Sequence, residues 1–462
     1  MAELRADWIA ERAGGVLVQG SAERRFRSFT IDSRQTGAGD LFFAIVSSRD
    51  GHAYVADAAA KGARGAVVSR PMEGLPPDFV LIRTDDTVRA LQALGRAVLH
   101  IRLRRVIGIT GSVGKTTTKD FTARILAGRY NVLKSEGNFN NHLGLSLSLL
   151  RLETDHTAAV LEMGMSAPGE IRALTAIAPP DVAVITNVNP AHLETLGTIE
   201  AVAGAKWEIV AGLKPGGTAV LNGDDAALRA VSAGWNGHIL RFGPGDGCDV
   251  RAVAVERCGF EGFTFDLQAG GRTARTRLRF LTEGYLYDAL AAAAVAFALN
   301  APLSDIAAAI ADLRPAPKRG DWKILGQGVV LIDDSYNSNP KALETALRGL
   351  GTLPAGRRVA VLGDMLELGP EEARFHAEAG RTAAGSGWDV IMTVGPLARG
   401  LAEAARAAGL EADRITTFET SEEAAAALPA MLRPGDLVLV KGSRGVRTEI
   451  VVEAIETLFK EN

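Results

Sequence analysis

The chain has 462 residues, 47% hydrophobic and 23% charged, which is the composition of a soluble globular protein of about two to four domains. A net charge of −3 without a basic block gives nucleic acid no footing, and two cysteines, Cys248 and Cys258, are too few for a disulfide framework. They lack partners at metal-ligand spacing, so reduced thiols with a packing role are expected. The first residues hold no apolar signal region and no run of about 18 apolar residues occurs, so a cytoplasmic protein without membrane insertion is expected.

Residues 1–83 read as a small α/β unit. Strands are predicted at 29–31, within 39–45, at 66–68 and at 80–82, with a short helix over 55–62. Two polar turns interrupt them, one with Ser33 and Arg34, the other with Asp50 and His52. These four are candidates for substrate binding. Turn chemistry explains the same residue types equally well.

Residues 84–314 form a second unit. A helix over 87–100 leads into a buried strand, 106–109, then Thr110-Gly111-Ser112-Val113-Gly114-Lys115-Thr116-Thr117, then a helix predicted over 119–127. Strand, glycine turn, helix is the context of a phosphate-binding loop. Gly111 and Gly114 let successive N–H groups curl around an anion, and the helix N-terminus adds partial positive charge. Lys115 would reach the β/γ-phosphates and the Thr116 hydroxyl would hold Mg²⁺. Ile109 stands where the strict motif has its first glycine. The competing reading is a plain strand-to-helix turn with a surface lysine.

Further along this unit, Gly137-Asn138-Phe139-Asn140-Asn141-His142-Leu143-Gly144 reads as a polar loop at a site. The strand 158–161 ends in Glu162, where open α/β sheets place ligand contacts. Glu162 is a second Mg²⁺ ligand on this reading, or a solvated strand-end acid on the other. The strand 182–185 runs into Asn187 and His192, a lone histidine that is either a metal ligand or structural. A helix over 201–213 carries Lys206. Short strands fill 238–280 with a hairpin turn at Gly270-Gly271, an alanine-rich helix covers 285–299, and Pro315 and Pro317 mark a linker.

Residues 315–462 alternate strand and helix, the pattern of a Rossmann-like parallel sheet, without a Gly-x-Gly-x-x-Gly opening. Its strand ends carry Asp333-Asp334-Ser335-Tyr336-Asn337, Gly363-Asp364-Met365 and Lys441-Gly442-Ser443-Arg444. Thr420 with Glu423 reads as a capping box.

Taken together these stretches resemble the Mur ligases, the ATP-dependent amide-forming enzymes of peptidoglycan synthesis. Residues 110–117 match the family's phosphate loop, residues 187–194 its Asn-x-x-x-x-His segment, and Lys206 sits where the family carries a modified lysine. The resemblance implies an α/β fold of three domains: a UDP-substrate domain (1–83), a central phosphate-loop ATP domain (84–314) and a C-terminal Rossmann-like domain for the amino substrate (315–462). Residues 137–142, 333–340 and 361–369 point within the family to the reaction that adds D-Ala-D-Ala to UDP-MurNAc-tripeptide. A related ligase with another acceptor, diaminopimelate, lysine or a folylpolyglutamate chain, would carry a different motif at 334–340. A nucleotide-binding protein with a dead ligase core would not keep Glu162, His192 and Lys206.

The resemblance further implies ATP, with Gly111–Thr117, Arg319, Asp334 and Tyr336 around it, and Mg²⁺ at Thr116, Glu162 and His192. Lys115, Glu162, His192 and a carbamylated Lys206 would be catalytic. Asn138, Asn141, Lys441 and Arg444 would meet substrate, and a monomer is expected. One segment departs from the family pattern. Where it has a His-Asn pair followed by a second Asn, this chain has Gly284, Tyr285 and Asp288.

Overall fold

The computed structural model describes residues 3–102, 105–190 and 193–460, with only the backbone of Leu193 and Glu194. Among these the strands fall into sheets of five, nine and six strands and one two-stranded pair. The five-stranded sheet runs Val16–Gln19, Val80–Arg83, Gly65–Val68, Leu41–Phe43, Phe29–Thr30, parallel except for its first strand. Alternate residues feed opposite faces, as strand geometry requires. Phe42, Ala66 and Leu81 enter one core, while Leu41, Phe43, Val67 and Ile82 enter the other. Helix Thr87–Arg102 lays Ala90, Leu91, Leu94 and Val98 into that second core, so it ties this sheet to the next.

The nine-stranded sheet carries the chemistry. Six neighbours from His238–Phe242 through Thr218–Asn222, Val182–Ile185, Val106–Thr110 and Ala158–Glu162 to Val132–Lys134 are parallel. Val106–Thr110 sits between Ala158–Glu162 and Val182–Ile185, with Glu162 paired to Ile109 and Thr110 to Ile185. Three strands therefore end at one level, and the loops after them converge. At the far edge Phe263–Ala269 and Arg272–Leu278 form a hairpin through Gly270 and Gly271, with φ of +56° and +71°. Two consecutive positive φ values are what a two-residue type I′ turn demands.

Helix Lys115–Leu126 packs against Glu283–Ala298, whose run from Ala289 to Ala296 is buried throughout. Small side chains let the two helices approach closely, and that approach brings the start of one to the other's Asp288. Among the described residues no helix is long and apolar enough to cross a membrane.

The six-stranded sheet runs Asp321–Ile324, Val330–Asp334, Asp436–Lys441, Arg357–Gly363, Val390–Val394, Ile415–Phe418, parallel except for its first strand. Apolar cores lie on both of its faces. Thr420 accepts from Glu423 N at 3.2 Å, but the Glu423 carboxylate returns to Glu419 N at 2.9 Å, one residue earlier than a capping box requires.

Several elements differ from the sequence expectation. The helix after the phosphate loop begins at Lys115, not 119. A run of three threonines is a poor helix former, and the start is set instead by Gly114 turning left-handed. The pair Leu4–Arg5 with Arg25–Phe26 and strands Val16–Gln19, Asp321–Ile324 and Ile415–Phe418 are too short to carry a strong pattern; they are edge elements placed by their neighbours. Helices Ala6–Arg12 and Leu303–Ala311, also not predicted, bury residues at helical spacing, Leu303, Ile306, Ala307 and Ile310 in the second.

Candidate active site

The phosphate loop is built on two glycines whose backbone and surroundings disfavour a side chain. Gly111 and Gly114 have φ of +149° and +84°; an added Cβ would fall 1.9 Å from Thr186 Oγ1 or 2.1 Å from Asp288 Oδ1. The loop is fastened from the next strand's end. Val113 N donates to Asn187 Oδ1 at 2.9 Å, Asn187 Nδ2 donates to Val113 O at 3.0 Å, and Ser112 Oγ donates to Asn189 O at 2.9 Å. No side chain caps the helix that follows, so its first-turn N–H groups remain available to an anion. Lys115 Nζ lies over the loop, donating to Gly111 O at 2.8 Å and Ser112 O at 3.3 Å. Burial pulls its pKa below the usual lysine value, Glu162 pushes back, and Arg319 adds to the fall.

Beside the loop, Thr116 Oγ1 donates to Glu162 Oε2 at 2.8 Å and Asn140 Nδ2 donates to Glu162 Oε1 at 3.0 Å. Ser135 Oγ accepts the Glu162 N–H at 3.1 Å, and the buried Lys119 Nζ donates to Ser135 O at 2.9 Å. The carboxylate is thus aimed from both oxygens and from its backbone. Of the three amides in the polar loop, Asn140 does this. Asn141 spends its side-chain oxygen capping helix His142–Leu150 through Gly144 N, and Asn138 stands exposed on the rim. Sequence spacing could not tell these apart, because the turn register decides which amide points inward.

Lys206 is 2% exposed. Among the described residues it has no hydrogen bond or ion pair, and burial, reinforced by Lys115, drives its pKa well below the usual value. Lys206 is therefore not a solvated surface ammonium. His192 lies outside the described residues.

The six-stranded sheet supplies the opposite wall. The Arg319 guanidinium stacks 3.9 Å from the centre of the Tyr336 ring, and Arg444 approaches the same ring at 5.6 Å. Lys441 is not free to meet a substrate carboxylate as expected. It is buried and donates to Asp334 Oδ2 at 2.6 Å and Asn337 O at 3.0 Å, so its charge is already matched. A cavity of ≈ 1660 Å³ lies between the two walls, lined by Lys115, Thr116, Glu162, Arg319, Tyr336 and Arg444 among others.

Ser33, Arg34, Asp50 and His52 do not line this cavity. Asp50 Oδ1 accepts from His52 N at 3.0 Å and pairs with His52 Nδ1 at 2.6 Å, while His52 Nε2 accepts from Ser69 N at 2.9 Å. Both ring nitrogens are therefore spent on the fold. The Arg34 side chain is 84% exposed and pairs with Asp32, whose carboxyl it holds down at about 2. The turn reading accounts for Asp50 and His52.

Tyr285 and Asp288 mark where the chain departs from the family pattern. The Tyr285 ring packs on Phe280 with centroids 4.8 Å apart, and a Cβ built on Gly320 would fall 2.5 Å from its hydroxyl, so helix Glu283–Ala298 lies close against the chain entering the third sheet. Thr118 Oγ1 donates to Asp288 Oδ1 at 3.0 Å.

A parallel sheet with a phosphate loop at its strand ends, facing an Arg–Tyr stack from a second sheet across one cavity, defines a nucleotide-dependent enzyme whose site is shared between domains. Comparison with known proteins narrows the class. Residues 109–296 match the Mur ligase middle domain and residues 318–444 the glutamate ligase domain of Mur ligases. The UDP-N-acetylmuramoyl-tripeptide–D-alanyl-D-alanine ligase of Bacillus subtilis is 35% identical over 448 residues, 96% of each chain. The crystal structure of MurF from Acinetobacter baumannii superimposes with a TM-score of 0.89 at 31% identity over 99% of each chain. MurF ligase from Thermotoga maritima, solved in complex with ADP, gives a TM-score of 0.81 at 31% identity over 93% of this chain and 97% of that one. The chain belongs to the Mur ligase family. It is an ATP-dependent ligase that forms an amide bond.

Proposed function

We propose that the enzyme joins D-alanyl-D-alanine to the terminal carboxylate of UDP-MurNAc-tripeptide, in the cytoplasm, as a step of peptidoglycan precursor synthesis. The observation that carries the reading is the full-length similarity to relatives named for this reaction, joined to a cavity lined by the phosphate loop, Glu162 and Arg319. A carboxylate does not condense with an amine in water, because it has no adequate leaving group. Transfer of the γ-phosphoryl group from ATP to the carboxylate oxygen releases ADP and leaves an acyl-phosphate. The dipeptide amine then adds to the acyl carbon, loses its proton, and phosphate departs.

The first step is mostly positioning and charge neutralisation. The curled amides from Gly111 to Thr117 cradle the phosphates, and Lys115 swings from the loop carbonyls to the β/γ-phosphates. Two hard oxygen donors beside the loop, Thr116 and Glu162, suit an ion that takes few protein ligands and otherwise phosphate and water. They would hold Mg²⁺, with His192 and carbamylated Lys206 serving a second ion; the metal supplies neutralisation of phosphate charge. Burial, reinforced by Lys115, favours the neutral amine of Lys206, and a neutral amine is the form that combines with CO₂. Arg319, Asp334 and Tyr336 meet the nucleotide from the third domain, and Arg444 meets the substrate. Asn138 and the free amide of Asn141 orient the peptide. The domain divisions we propose are 1–83 for the UDP moiety, 84–314 for ATP and 315–462 for the dipeptide.

The test is phosphate release by the full chain with ATP, UDP-MurNAc-tripeptide and D-Ala-D-Ala. Release that needs both substrates and stops when diaminopimelate or glutamate replaces the dipeptide supports the reading. Release with either of those acceptors instead overturns it.

A further inference from the structure

The wall behind the phosphate loop carries an acid that, among the described residues, no ion pair claims. Asp288 is 7% exposed on helix Glu283–Ala298 and accepts the Thr118 hydroxyl at 3.0 Å. The 2.1 Å separation between its Oδ1 and a Cβ built on Gly114 puts the carboxyl directly against the loop's second glycine. The charged and titratable groups around it are accounted for. Lys115, on the helix opposite, is turned to the carbonyls of Gly111 and Ser112. Arg319, from the stretch entering the third domain, stacks on Tyr336. Asp334 is paired with Lys441, and Tyr287, on the same helix as Asp288, donates to Asp224. The Tyr285 hydroxyl, also on that helix, is held protonated chiefly by burial, with Asp334 and Asp288 adding to the effect.

We propose that Asp288 is a positioning residue that seats the phosphate loop as an uncharged acid, and that its ionisation weakens nucleotide binding. A protonated carboxyl keeps an acceptor for Thr118 and adds no charge to the wall. An ionised one would set a negative charge in a poorly solvated place beside the seat of a triphosphate. Burial accordingly pushes its pKa up to about 8, against the opposing pull of Thr118 and Arg319. The inference rests on the loop being the nucleotide seat and not on which acceptor the enzyme uses.

The experiment is calorimetric titration of Mg-ADP into the full chain at pH 7, 8 and 9, for the wild type, Asp288→Asn and Thr118→Val. If only the protonated form binds well, the wild-type Kd rises roughly tenfold from pH 7 to pH 9. Asp288→Asn should lose that rise and keep the pH 7 affinity. Thr118→Val removes the hydrogen bond that favours the ionised form, so its break should move to higher pH, a shift that a merely structural role would not produce. A flat wild-type profile overturns the proposal even if a variant fails to fold, and so does a profile shared by wild type and Asp288→Asn. ADP that binds with no dependence on the loop, undiminished in Lys115→Ala, would overturn the seat itself.

Discussion

Replacing Gly114 with alanine perturbs the loop in a way the geometry lets us size. The new Cβ would sit 2.1 Å from Asp288 Oδ1, so something must retreat by roughly 1.3 Å to restore ordinary contact. Overpacking of this kind costs about 1–3 kcal/mol. The backbone at φ +84° adds about 1–2 kcal/mol, because a side chain there is disfavoured. Together these are on the order of 2–5 kcal/mol, divided between the fold and the loop conformation that receives phosphate. ADP affinity, followed by calorimetry, should fall by at least about tenfold, each 1.4 kcal/mol being a decade. The double variant Gly114→Ala/Asp288→Ala removes the carboxyl the Cβ meets. It should recover the steric part and leave the backbone part, so the two changes will not be additive. Normal ADP binding by Gly114→Ala, or strict additivity of the pair, would refute the packing on which the argument rests.

Four further outcomes are expected. Lys115→Ala should reduce kcat/KM by about a thousandfold or more, since charge stabilisation of the transferring phosphoryl group is lost; a steady-state phosphate assay reads this. Lys206→Ala should be inactive and partly restored by short carboxylates, and the wild type should lose activity in CO₂-depleted buffer and regain it with bicarbonate. Asn140→Ala frees one Glu162 oxygen and should raise the Mg²⁺ concentration for half-maximal activity by about 10–100-fold, the usual effect of losing a residue that orients a ligand. Stability should also depend on Asp288. Its folded pKa, about 8, lies above the unfolded value, so between about pH 4 and pH 8 the native state holds a proton that the unfolded chain has released. Stability from this group therefore falls as pH rises through that window, by about 1.4 kcal/mol per unit at most, and urea melts of Asp288→Asn should lack this component.

Much of the site could be read in the residues because local rules and tertiary demands agree there. Gly111 and Gly114 are glycines for conformational reasons visible in a strand–turn–helix context, and Glu162 stands at a strand end where ligands gather. The regular alternation of the last 148 or so residues is a strong periodic signal of the kind that survives without tertiary information. What stayed hidden depends on distance in space. Nothing local distinguishes Asn140 from Asn138 and Asn141, or shows that Lys441 is spent on Asp334 from a neighbouring strand. Lys206 looks like a surface lysine until the sheet buries it. Asp50 and His52 look like a binding pair until the buried imidazole is found bonded at both nitrogens.

The most direct test of the ligase chemistry follows one oxygen atom. UDP-MurNAc-tripeptide labelled with ¹⁸O in its terminal carboxylate is turned over with ATP and D-Ala-D-Ala, and the released phosphate is weighed by mass spectrometry. The account predicts one ¹⁸O in each phosphate, carried across when the acyl-phosphate collapses, with the second label retained in the new amide carbonyl. Phosphate free of label, with amide product still formed, would contradict it.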